Sequence, residues 1–68
     1  MRRNYDEAIS EAIGLGVDFD TDFHAQDIGL KMADLAKAYG YRKPKEANGS
    51  TGRYFFQRLQ REYDAAKR

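Results

Sequence analysis

The residues best equipped for chemistry lie between Lys31 and Arg61, KMADLAKAYGYRKPKEANGSTGRYFFQRLQR. Arg42, Lys43 and Lys45 crowd a turn-rich stretch, and Arg53, Gln57, Arg58 and Arg61 follow it at helical spacing. Cations gathered in this way suit an anionic surface, either a phosphate backbone or an acidic protein. The segment GSTGR (residues 49–53) follows no strand and lacks Gly-Lys-Ser/Thr, so its match to a nucleotide-binding loop is weak. The backbone N–H groups of a helix beginning there would still suit a single phosphate.

Other chemistry finds less support. A nucleophile needs a neighbouring base, yet His24 sits in an acidic stretch with no Ser or Cys pattern around it. The pair Glu7 and Glu11 falls on a solvated helix face, and the chain is not expected to be an enzyme. With no Cys and one His, thiolate sites and multi-histidine zinc sites are excluded. Asp18, Asp20 and Asp22 resemble the opening of a calcium-binding EF-hand loop. Phe23 then stands where that loop needs Gly, and Gly29 where it needs Glu. Neither a metal nor a cofactor is expected.

The net charge of +1 conceals a partition. Residues 1–30 hold two Arg against seven acids, and residues 31–68 hold ten Lys/Arg against four acids. A basic half of this kind points to nucleic acid or an acidic protein; the alternative is that the two halves neutralise each other, internally or between copies. No apolar run approaches the roughly 20 residues that span a bilayer, and Met-Arg-Arg leads into no apolar signal segment. A cytoplasmic location away from membranes is therefore expected, and the lack of Cys fits a reducing compartment.

The elements that must position these residues read as all-α, a small bundle of three to four helices within one domain, residues 1–68. A first helix spans about 4–14, capped by Asn4 with Glu7 three residues on, and ended by Gly14 or Gly16. Its buried face is Tyr5, Ala8, Ile9, Ala12, Ile13 and Leu15. A short helix lies near 21–28, capped by Asp20, Thr21 or Asp22, with Phe19 and Phe23 plugging the core. A third covers about 30–39, burying Ile28, Met32, Leu35, Ala36 and Tyr39, and Gly40 stops it. Residues 40–52 carry three Gly and Pro44 and form a loop. The last helix runs over 51–66, capped by Ser50 or Thr51, with Phe55, Phe56, Leu59, Tyr63 and Ala66 inward. Arg53, Gln57, Arg61, Asp64 and Arg68 lie outward, with Arg58 at the edge.

Met32-Ala-Asp-Leu-Ala-Lys-Ala-Tyr-Gly-Tyr41 resembles the first half of a helix-turn-helix DNA-binding unit. Ala36 stands where that family crosses two helices closely, Gly40 where it turns, and Tyr41 where an apolar residue anchors the turn. Ser50 to Leu59 resembles the start of its recognition helix. About nine residues separate Gly40 from that helix, more than the family's usual turn. The resemblance implies a small DNA-binding protein, such as a transcription regulator, with the helix N-terminus in the major groove. Arg42, Lys43 and Lys45 would then contact phosphate, and Ser50 and Thr51 would donate to it. Arg53, Gln57 and Arg61 would read bases, with Arg58 beside them, and Tyr54 would stack or touch a thymine methyl. The alternative is a protein-interaction module, such as a phage or mobile-element inhibitor or adaptor, docking an acidic or basic partner. A homodimer is one way to supplement so thin a core.

Overall fold

A computed structural model of the chain describes residues 5–46 and 48–66. Three helices, α1 (Tyr5–Gly14), α2 (Gly29–Ala38) and α3 (Thr51–Ala66), form a small all-α bundle, with one 3-10 turn at Phe23–Ala25. The most extensive contact is between α2 and α3, and α1 packs on α3 more than on α2. The expected Asn4 cap and the outward Arg68 fall outside the described residues.

Asp6 and Glu7 occupy the first turn of α1, where the helix dipole favours carboxylates. Ala8, Ile9 and Ala12 turn inward and are buried. Ile13 and Leu15, expected on the same face, are exposed at 51% and 42%. Only the stripe of α1 that faces α3 is covered, and the chain reverses immediately after Leu15. That reversal uses Gly16 at φ 98°. The Gly16 N–H donates to the Ile13 carbonyl and the Val17 N–H to the Ala12 carbonyl, both at 3.0 Å. This pair of bonds is the Schellman ending, and it carries Val17 into the core.

The expected short helix over 21–28 contracts to the single 3-10 turn. Asp22 holds its N-cap position without a side-chain hydrogen bond, so no cap carries it into a longer helix. The side chains nearby serve the loop instead. The Asp20 N–H donates to Asp18 Oδ1 (2.9 Å). The Gln26 amide accepts from the Asp18 N–H (2.8 Å) and donates to the Asp18 carbonyl (2.7 Å). The resulting loop points Phe19 inward, where it stacks on Phe56 with centroids 5.2 Å apart. Phe23 is half-buried and also meets Phe56, at 5.3 Å.

Helix α2 begins at Gly29, one residue earlier than the expected start, and a glycine of α3 lets the two helices pack closely. A β-carbon at Gly52 would lie 2.8 Å from the Gly29 carbonyl oxygen and 3.0 Å from the Ala33 nitrogen. The backbones of α2 and α3 therefore meet at Gly52, which has no side chain to hold them apart. The expected crossing residue, Ala36, is also fully buried. Ile28, Met32 and Leu35 are buried as expected, Tyr39 half-buried.

Ser50 caps α3: its Oγ accepts the Arg53 N–H at 3.1 Å. Phe55, Phe56 and Leu59 are fully buried with Met32. Tyr63 is half-buried and Ala66, expected inward, is exposed, because the last turn of α3 extends past the residues that pack on it.

Candidate nucleic-acid interface

The outward stripe of α3 follows from the packing of Phe55, Phe56 and Leu59, which fixes the rotation of the helix. Arg53, Gln57 and Arg61 are left exposed at intervals of four residues, a row about 12 Å long at 1.5 Å rise per residue. No hydrogen bond or ion pair engages these three side chains among the described residues. Arg58 differs. Its Nη2 pairs with Glu62 Oε2 at 3.1 Å, and its guanidinium sits 4.9 Å over the Tyr5 ring. The bridge is half-exposed, so these contacts orient Arg58 more than they stabilise the fold. Its Nε is buried with no hydrogen-bond partner among the described residues.

The connector from Tyr39 to Ser50 starts with a second Schellman ending. Gly40 (φ 70°) donates to the Lys37 carbonyl at 3.1 Å and Tyr41 to the Ala36 carbonyl at 2.9 Å. Tyr41 then packs on Phe55, with centroids 5.0 Å apart. The connector rejoins α3 through Lys43, whose Nζ donates to the Gly49 carbonyl at 2.9 Å. Tyr54 lies against Gly49 so closely that a β-carbon there would come 2.9 Å from its Cε2. Arg42, Lys45 and Ser50 are exposed and Thr51 is half-buried.

These parts enclose a groove of about 530 Å³. Tyr5, Tyr41 and Tyr54 supply rings, Pro44 adds an apolar patch, and Gln57, Arg58 and Arg61 bring hydrogen-bond donors. The structure thus gathers four expected residues (Tyr54, Gln57, Arg58 and Arg61) with three that the sequence reading left out of the site. Arg53 stands apart, in a smaller groove beside Asp22 and Phe23. Among the described residues, no helix is long and apolar enough to cross a membrane.

Among the described residues, no acid of the first half lines this groove. Segment 18–22 is tied to α3 by Gln60, whose Nε2 donates to the Phe19 carbonyl (2.9 Å) and the Thr21 carbonyl (3.3 Å), and its Asp22 shares the smaller groove with Arg53 and Gln57. The acids of α1 line a separate groove, with Asp6, Glu7 and Glu11 beside Tyr39. Burial raises the Tyr39 phenol pKa, and its hydrogen bond to Glu11 with the charges of Glu11 and Glu7 raises it further.

No protein-family model, curated protein or solved structure matches this chain. The site must therefore be read from its own residues.

The resemblance to helix-turn-helix units gains a physical explanation here. Its most visible signature, Ala36 with Gly40 and Tyr41, marks where a helix stops and the chain folds back. Ala12, Gly16 and Val17 carry the same signature and make the same bonds at the end of α1. Tyr5, Tyr41 and Pro44 had no local signal of a shared groove, because they come from three parts of the chain.

Proposed function

We propose that this chain binds nucleic acid, duplex DNA in the helix-turn-helix manner being the working case, through the outward face of α3 and the connector. One observation carries the reading: Arg53, Gln57 and Arg61 stand exposed in a row along α3, with no ion pair engaging their side chains among the described residues. A row about 12 Å long matches the width of a major groove. Arginine suits guanine and glutamine suits adenine as bidentate partners. Arg42 and Lys45, exposed on the connector, add charge that gains by releasing counterions from phosphate. Lys43 has one donor on Gly49 and two left for a phosphate.

The test is a titration of labelled random-sequence duplex at low salt, repeated as salt rises. Binding should weaken with a log–log slope near −0.9 per phosphate contact. Arg53→Ala and Gln57→Ala should change sequence preference, whereas Lys45→Ala should weaken all sequences alike. Absence of binding to any nucleic acid at low salt would sink the proposal.

A protein-interaction role is favoured by a different observation, the separate acidic groove formed by α1 and Tyr39. Charge reversal at Glu7 and Glu11 that abolished capture of a partner, with nucleic-acid binding intact, would identify that role.

A further inference from the structure

The groove between α3, the connector and the start of α1 is shaped for something a paired duplex does not offer. Three tyrosines line it, Tyr5, Tyr41 and Tyr54. Its volume, about 530 Å³, falls in the range of about 300–1,000 Å³ typical of small-molecule sites. Base pairs in a duplex already stack on one another, so their faces are closed to protein rings. An unpaired base has both faces open, and its stacking on an aromatic ring tolerates any sequence.

The polar groups fit the same occupant. Gln57 lines the groove with an amide that can donate and accept at a base edge, and Arg61 lines it with a cation suited to the attached phosphate. Arg58 is held over Tyr5 by its pair with Glu62, so one face of that ring is already covered by a cation. On the connector side Tyr41 also packs on Phe55, so Tyr54 is the ring on which the stacking is tested. An acidic peptide would use the arginines but has no need of an aromatic lining. We infer that this groove holds an unpaired nucleobase, so that the chain prefers single-stranded or locally unpaired nucleic acid over a fully paired duplex. The inference rests on the nucleic-acid reading above and narrows it.

Three labelled ligands of equal length, about ten nucleotides, separate the possibilities by fluorescence anisotropy at low salt: an oligothymidine strand, an abasic strand of the same phosphate number, and a paired duplex. Oligothymidine should bind about tenfold or more tighter than the abasic strand, the effect of one to two stacked bases. With no Trp and five Tyr in the chain, stacking should also quench tyrosine emission. Tyr54→Ala should bring the oligothymidine affinity down to the abasic level, and Tyr54→Phe, which keeps the ring, should restore it. Arg61→Ala, at an exposed site, should weaken both strands alike. Equal binding of the oligothymidine and abasic strands, or tighter binding of the duplex, would overturn the inference and leave the broader proposal standing. Binding of an acidic peptide with none of the three nucleic-acid ligands bound would overturn both.

Discussion

Tyr39 sets an aromatic hydroxyl against the carboxylate of Glu11, and the consequence can be read in pH. Burial, the hydrogen bond to Glu11 and the nearby charges of Glu11 and Glu7 all raise its pKa above the ordinary 10. The folded state thus favours the neutral phenol. Its contribution to stability is fully present below the unfolded pKa near 10 and is lost as pH climbs through the higher folded value. Urea denaturation between about pH 9 and 12 should show wild-type stability falling more steeply than that of Tyr39→Phe. A parallel fall in the two proteins would contradict this. Single residues with local partners were legible in the sequence, as Ser50 shows by capping the helix that follows it. Residues with distant partners were not. Gln60 reaches a carbonyl 41 positions away, and Lys43 turns an expected phosphate contact partly onto Gly49. Neither partnership leaves a pattern in neighbouring residues.

At the scale of elements, the bundle depends on two glycine uses that look alike in sequence. Gly16 and Gly40 take left-handed backbone to end α1 and α2; turn chemistry foretold Gly40 and narrowed the other to Gly14 or Gly16. Gly52 lies within α3 and serves packing, which no local rule reveals. Gly52→Ala should force the α2 and α3 backbones apart and cost about 1–3 kcal/mol in chemical denaturation. Gly14→Ala is the matched control. Nothing lies within 4 Å of its added β-carbon, and the better helix propensity should leave stability unchanged or raise it by up to about 1 kcal/mol. Equal effects from the two substitutions would show that the crossing is not tight. The helix boundaries came within a residue or two of the periodicity. The short helix over 21–28 failed because Asp18 and Gln26 bind the backbone into a loop, an arrangement that competes with helix.

For the molecule as a whole, one small core carries the fold, with Met32, Phe55, Phe56 and Leu59 its large fully buried side chains. Phe56 joins Phe19 and Phe23 to α3, so its loss should be felt everywhere. Phe56→Ala should cost about 3–5 kcal/mol, against a total of about 3–10 kcal/mol for a chain of this length. Thermal unfolding followed by circular dichroism should then lose most of its cooperative transition, and a normal transition would show that the core lies elsewhere. The all-α class and most of the core were legible in apolar spacing, because helical periodicity reports burial directly. The groove was not, since it exists only once three separated segments meet. The partition of charge between grooves also has a kinetic side. With a net charge of only +1, the molecule is nearly a pure dipole, and far from a polyanion it feels little pull. Within the last 8–10 Å or so, the screening distance at physiological salt, the field gradient turns it so that the cationic side leads. Its charges therefore select the angle of arrival more than the frequency of encounter.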